Sequence, residues 1–196
     1  GHINNMKNLA ARAPSGEIRA FDARSGAFLW RFDPVPRNPA ELQAATWTAE
    51  SLANTGGGNA WSLLSVDEQR DLVFVPTSSA SPNWFGGTRP GDNRYANSVV
   101  ALRGSTGKVA WHFQTVHHDV WDWDTPAQPR MLVIQKDGRR SPAVVILTKQ
   151  SLVFVLNRDT GVPLFPVEER PVPTDGIAGD VLSKTQPFPV RPPAEI

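Results

Sequence analysis

The chain has 196 residues, which is enough for one or two domains with a buried core. Its net charge of +1 argues against a nucleic-acid partner, and the absence of cysteine excludes disulfides and thiolate metal sites. No apolar run reaches the length of a membrane span, since the longest, residues 143–147, has the length of a strand. The 18 prolines and 15 glycines interrupt the chain too often for long helices.

Residues 1–16 are interpreted as an N-terminal tail or a remnant of the expression vector. They have neither the basic start nor the apolar stretch of a secretory signal. If the protein is exported, its signal therefore lies outside this sequence.

One pattern recurs three times along the chain. Residues 21–26, 102–107 and 156–161 each end in Ser-Gly or Thr-Gly, and an aromatic residue follows four positions later. These aromatic residues are Trp30, Trp111 and Phe165, and the strands predicted before the three turns are residues 17–21, 98–102 and 151–156. The glycine supplies the positive φ of a tight turn, and we expect the aromatic ring to pack against a neighbouring sheet.

Two further hairpins are predicted between these copies. Residues 60–66 turn into a strand at 72–76, and residues 131–134 turn into a strand at 143–147. The best helical candidate is the short segment 41–52.

These elements predict an all-β chain that forms a partial β-propeller of about two and a half four-stranded antiparallel blades. The predicted units are the outer half of one blade with a connecting loop (17–58), a complete blade (59–115), a loop (116–130), a second blade (131–167) and a Pro-rich C-terminal segment (168–196). An unrelated β-sandwich built from hairpins is the alternative that the periodicity leaves open.

Three longer stretches then carry a family resemblance. They are Gly-Gly-Gly-Asn-Ala-Trp at 56–61, Arg-Pro-Gly-Asp-Asn-Arg-Tyr at 89–95, and Gln-Thr-Val-His-His-Asp-Val-Trp-Asp-Trp-Asp-Thr-Pro-Ala-Gln-Pro at 114–129. With the repeated turn, which resembles a tryptophan docking motif, they resemble the pyrroloquinoline quinone (PQQ)-dependent dehydrogenases of the glucose/quinate type. The resemblance covers residue 17 to the C-terminus and implies part of an eight-bladed quinoprotein propeller.

The resemblance implies a periplasmic enzyme that oxidises a hydroxyl group of a sugar, polyol or cyclic alcohol. The electrons would pass through the bound PQQ to a quinone acceptor in the parent enzyme. The alternative is a non-catalytic propeller fragment that acts as an assembly or binding module. In either case we expect the open blade faces to be covered by self-association or by the remaining blades.

The resemblance also implies site residues. Trp61 matches the tryptophan on which the cofactor ring rests, and Asn59 matches a polar contact at the cofactor edge. Asp122 matches the general base and a metal ligand, and Lys149 matches a lysine that contacts the cofactor. Without the resemblance, Trp61 reads as a core residue, the aspartates as a turn or a cation site, and Lys149 as a solvated strand end.

The family cation is normally Ca²⁺, which polarises the quinone oxygens. Many relatives have Gly-Asn after the apolar strand at 72–76, whereas this chain has Ser79 there, a weak neutral ligand. Ca²⁺ is then held chiefly by Asp122 and residues outside this chain, or this branch arranges its cation differently. His117 and His118 lack the spacing of a compact zinc site, and packing or hydrogen bonding is expected of them.

Overall fold

The structure is a computed structural model that describes residues 13–14, 16–37, 46–136 and 138–191. Its strands are β1 (Ile18–Phe21), β2 (Phe28–Phe32), β3 (Ser65–Asp67), β4 (Leu72–Pro76), β5 (Ser98–Arg103), β6 (Val109–Gln114), β7 (Arg130–Lys136), β8 (Arg139–Leu147), β9 (Val153–Asn157), β10 (Val167–Pro171) and β11 (Thr185–Pro189). The helical elements whose bounds lie wholly within these residues are α1 (Ala49–Asn54) and a 3₁₀ turn at Glu68–Arg70. The prediction of an all-β chain is confirmed.

The strands form antiparallel sheets that follow the chain order. Strands β3 to β6 make a four-stranded meander and β7 to β9 a three-stranded one, while β1–β2 and β10–β11 are separate hairpins. In the four-stranded sheet Phe74 lies opposite Ala101, which in turn lies opposite Trp111. This register places large and small side chains side by side on the face that is buried.

The recurring turns connect neighbouring sheets. The indole Nε1 of Trp30 donates to the carbonyl of Gly104 at 2.7 Å, and that of Trp111 donates to the carbonyl of Arg158 at 3.1 Å. A Cβ atom on Gly107 would lie 2.5 Å from the ring of Trp30, and one on Gly161 would lie 2.5 Å from the ring of Trp111. Each tryptophan therefore docks on the turn of the next copy of the repeat.

Two apolar clusters hold the sheets together. The first joins β4 and β5 to β8 and β9, and its fully buried members are Phe74, Val99, Ala101, Val144, Ile146, Phe154 and Leu156. The second joins β2 to β4 and β5 and contains Phe32, Val75, Tyr95, Val100 and Leu102. Burial of each large apolar side chain stabilises the fold by about 1.5–3 kcal/mol, so the contacts between sheets are a main source of stability.

The predicted strand at 60–66 is largely wrong, because only Ser65 and Val66 of it belong to β3. Its earlier residues are held by the segment that follows Asp124: the Ser62 hydroxyl donates to the carbonyl of Pro126, and the Gln128 amide donates to that of Leu64. Side-chain bonds to a loop thus replace strand pairing here.

The second predicted blade also differs from expectation. Its sheet has three strands, and the fourth is reduced to a single bridge between Leu156 and Pro163. The C-terminal segment carries a hairpin, β10–β11, that its prolines concealed in the sequence. The unit boundaries given above remain predictions.

The predicted helix at 41–52 begins outside the described residues. Within them, α1 starts after Thr48, whose side chain caps it by accepting from the Ser51 amide, while the Thr48 amide donates to the Ser51 hydroxyl oxygen. None of the helices found in the described ranges is long and apolar enough to cross a membrane.

Candidate active site

The loop between β6 and β7 is built around Asp119, a carboxylate that is 2% exposed. Its Oδ1 accepts from the Trp121 amide at 3.0 Å, and its Oδ2 accepts from the Trp123 amide at 2.9 Å. These two amides flank Asp122, whose φ of +58° lies in the left-handed region. Asp119 therefore fixes the backbone on both sides of Asp122 in a conformation that an isolated aspartate adopts only at a cost.

Further groups hold Asp119 in place. Its Oδ2 also accepts from the Asn97 side chain at 2.8 Å and from the Ser79 hydroxyl. The guanidinium of Arg89, fully buried, donates to the backbone carbonyl of Asp119 and, at 2.8 Å, to that of Pro82. Burial raises the pKa of Asp119 despite these hydrogen bonds, and burial lowers the pKa of Arg89 to about 10. Arg89 is thus still a cation at neutral pH.

Lys149 and Trp61 meet at one carboxylate. The ammonium of Lys149 lies 3.2 Å from Asp124 Oδ2, and the indole Nε1 of Trp61 donates to the same oxygen at 3.0 Å. The other oxygen of Asp124 accepts from the Ser79 amide at 2.9 Å. Asp124 thereby ties together residues that lie on three distant segments of the chain.

Lys149 also contacts Asp122. Its Nζ donates to the Asp122 carbonyl at 2.6 Å and to Asp122 Oδ2 at 3.3 Å, and Asn83 donates to Asp122 Oδ1 at 2.8 Å. Partial burial alone would lower the pKa of Lys149, but the charges of Asp124 and Asp122 outweigh it and raise that pKa. The site therefore holds a stable ammonium between two carboxylates.

Of the four residues predicted for the site, the structure brings Trp61, Asp122 and Lys149 together. Asn59 lies two residues before Trp61, is buried, and accepts from the Ser78 hydroxyl at 3.4 Å. Their catalytic and binding roles remain predictions. The residue whose importance the sequence did not reveal is Asp124; its place in the run of aspartates was the available signal.

The histidines serve as hydrogen-bonding residues. His118 lies 2.8 Å from the Gly91 carbonyl and 2.9 Å from Asp180, while His117 lies 3.1 Å from Glu169. Among the described residues there is no group of three or more His, Asp and Glu that could hold a metal ion.

The same residues fit a flat, electron-poor quinone such as PQQ. Trp61 is 45% exposed although its Nε1 is anchored, so its ring offers an open aromatic surface. The Lys149 ammonium beside it could pair with a quinone oxygen or a carboxylate of such a molecule. Trp61 and Lys149 would hold the cofactor.

Comparison with known proteins identifies quinoprotein dehydrogenases as relatives of this chain. The chain is 40% identical over 182 residues to the quinoprotein glucose dehydrogenase of Escherichia coli (strain K12), covering 92% of this chain and 22% of that protein. It is 42% identical over 188 residues to the quinate/shikimate dehydrogenase (quinone) of Acinetobacter baylyi, covering 95% of this chain and 23% of that protein. The chain thus spans less than a quarter of the length of these relatives.

A solved structure shows the same fold. The quinohemoprotein alcohol dehydrogenase from Comamonas testosteroni superimposes with a TM-score of 0.71 at 27% identity, over 93% of this chain and 28% of that one. Residues 2–196 match the family described as PQQ: Glucose/ethanol/alcohol dehydrogenase, beta-propeller domain. The chain, with its tryptophan-docked sheets, belongs to this family of PQQ dehydrogenase propeller domains.

Proposed function

We propose that this chain forms part of the active site of a PQQ-dependent dehydrogenase that oxidises a hydroxyl of a sugar, polyol or cyclic alcohol. The observation that carries the proposal is the meeting of Trp61 and Lys149 on Asp124, directly beside Asp122. The names of the relatives support the substrate range, since they include glucose, quinate/shikimate and glycerol dehydrogenases.

In the proposed reaction, Trp61 and Lys149 would hold PQQ, which would supply the two-electron oxidant for the alcohol. Asp122 takes the hydroxyl proton as the C–H bond breaks, which leaves a carbonyl product. The Asp122 carboxylate is 30% exposed and can reach a substrate, while Lys149 and Asn83 fix its orientation. Lys149 would supply fixed positive charge beside the bound cofactor.

The wider setting is proposed on the same basis. The parent protein would be periplasmic and would pass its electrons to a quinone acceptor, as the name of the quinate/shikimate dehydrogenase (quinone) suggests for that enzyme. Ca²⁺ would be bound with Asp122 as one ligand, and residues of the parent protein would supply the others.

A second candidate is a non-catalytic propeller fragment that serves as an assembly or binding module. It is favoured by the exposed apolar side chains of Leu63, Leu132 and Val133, which are available for contact with another protein surface. The two candidates differ in whether the chain binds PQQ.

PQQ binding by the purified chain tests the proposal. We expect micromolar PQQ to quench the tryptophan fluorescence and to be retained with the protein on ultrafiltration, measured by the absorbance of free PQQ with and without Ca²⁺. Trp61→Ala should abolish retention because the aromatic surface is lost, whereas Trp61→Phe should keep much of it. Absence of retention by the unaltered chain would favour the binding module.

A further inference from the structure

The C-terminal hairpin β10–β11 is attached to the loop of the candidate active site through His117 and His118. Glu169 on β10 lies 3.1 Å from His117 Nε2, and Asp180 in the segment between the two strands lies 2.9 Å from His118 Nε2. Gln186 on β11 exchanges hydrogen bonds with the backbone of His117 at 2.8 and 2.7 Å. Both strands of the hairpin and their connecting segment thus contact the same two residues.

The contact between His118 and Asp180 is buried, since each side chain is only 2% exposed. The other oxygen of Asp180 accepts from the Gly86 amide at 2.9 Å. A Cβ atom on Gly86 would lie 2.1 Å from His118 Nε2, so this position has no room for a side chain. Residues 173–179, in contrast, are all exposed. Asp180 is therefore a buried anchor for an otherwise exposed stretch.

Both ring nitrogens of each histidine face an oxygen atom. His118 Nδ1 lies 2.8 Å from the carbonyl of Gly91, which can only accept. His117 Nδ1 lies 3.0 Å from Gln114 Oε1, and the orientation of this amide is set by its NH₂ group, which donates to the Asp92 carbonyl at 2.6 Å. A neutral imidazole has one N–H and can donate to only one of two acceptors. The arrangement therefore matches rings that carry both protons and a positive charge.

Other charged groups surround the two histidines. They are Arg89 and Asp92 on the segment before β5, Asp119 in the loop, and Glu169 and Asp180 on the hairpin. Asp119 is committed to the backbone amides of its own loop, and Asp92 is exposed. Glu169 is half exposed, so solvent weakens its attraction for His117. A response to pH is therefore expected mainly from the buried pair of His118 and Asp180.

We infer that this pair attaches the segment between β10 and β11 to the active-site loop in a pH-dependent manner. At acidic pH the doubly protonated ring donates to both Gly91 and Asp180. As the pH rises and the ring loses one proton, a nitrogen lone pair faces a buried oxygen, which is unfavourable, and the segment is released. His118 directly precedes Asp119, whose carboxylate fixes the backbone around Asp122. Release would therefore loosen the loop that carries the proposed base.

Hydrogen exchange of the full chain, followed by mass spectrometry, tests the inference without any cofactor. Rates are compared at about pH 5.5 and about pH 8.5, after correction for intrinsic exchange at each pH. We expect the amides of residues 172–184 and 84–91 to be at least about tenfold better protected at the lower pH. The amides of β4 and β5 should change little. Nitrogen NMR of the histidine rings at the lower pH should show His118 with both protons.

Asp180→Asn gives the sharpest comparison. The asparagine can accept from the Gly86 amide and donate its NH₂ group to Nε2 of a neutral His118 ring, so we expect the segment to be better protected at the higher pH. His118→Gln removes the titratable ring and should abolish the difference between the two pH values. Asp175→Asn, at an exposed position of the same segment, is the control and should behave as the unaltered chain does.

The inference is overturned if the unaltered chain is protected equally at both pH values, or if the His118 ring carries one proton at the lower pH. It is overturned as well if Asp180→Asn keeps the pH dependence of the unaltered chain. A loss of protection in β4 and β5 would show that Asp180→Asn has unfolded. The comparison of His118→Gln with the unaltered chain then decides, and a pH dependence that survives this substitution contradicts the role of His118.

Discussion

At the scale of single residues, the site depends on carboxylates that bind protein groups instead of solvent. Asp119 and Asp124 are 2% and 7% exposed, and their oxygens accept from amides, hydroxyls and the Lys149 ammonium. Asp122 lies between them in the chain and is more open. Two of the three carboxylates thus bind and position protein groups, and Asp122 is the accessible one, as the proposed role of a base requires.

The structural role of Asp119 gives a prediction about stability. Asp119→Asn places an NH₂ group where donors from Ser79, Asn97 and Trp123 converge, so at least one donor loses its acceptor. We expect the free energy of unfolding to fall by about 1–3 kcal/mol, measured by urea denaturation. Asp175→Asn at an exposed position should change it by less than about 0.5 kcal/mol. Equal effects of the two substitutions would contradict the role assigned to Asp119.

The site residues that could be predicted from the sequence are those that lie in family motifs. Trp61, Asp122 and Lys149 were proposed from such motifs, and the structure brings them together. The contributions of Asn83 and Arg89 could not be foreseen, because each acts on a loop that lies 30 or more positions away in the chain. Hydrogen bonds of this kind depend on the packing of sheets and leave no local pattern.

At the scale of secondary-structure elements, the recurring turns were the most predictable feature. Ser-Gly and Thr-Gly predicted positive φ, and Gly26, Gly107 and Gly161 have φ of +72°, +70° and +73°. The sequence could not show which ring would lie over which turn. The structure shows that Trp30 and Trp111 cover Gly107 and Gly161, whereas a Cβ on Gly26 would meet nothing within 4 Å.

Gly26 and Gly161 share a backbone conformation but differ in their surroundings, so substitutions at these two positions can be compared directly. Gly26→Ala should cost only the strain of positive φ, about 1–2 kcal/mol. Gly161→Ala should cost the same strain plus displacement of the Trp111 ring, about 1–3 kcal/mol more. Urea denaturation curves of the two variants test this. Equal losses of stability would show that docking of the ring contributes little.

At the scale of the whole molecule, apolar side chains remain exposed on several elements. Residues at least 38% exposed include Phe21 and Phe28 of the first hairpin, Leu63 and Leu64 before β3, and Leu132 and Val133 of β7. Apolar patches of this kind on soluble proteins usually mark contact surfaces. The chain as printed is therefore expected to pack against further copies of itself or against other blades.

Size-exclusion chromatography with light scattering measures this directly. We expect a dimer or larger species at micromolar concentration, and Leu132→Lys with Val133→Lys should shift the population toward monomer by placing charges on the exposed strand. A compact, stable monomer of the unaltered chain would contradict the prediction.

The docking of each tryptophan on the following turn also determines how the molecule loses its structure. Trp30 and Trp111 each bind a turn of the next sheet, so contacts with the neighbouring sheet contribute to the folding free energy of each sheet. A substitution that removes one of these tryptophan–turn contacts then destabilises the sheets on both sides, and unfolding spreads along the chain from that contact. Sheets linked in this way are expected to unfold cooperatively, in a single transition.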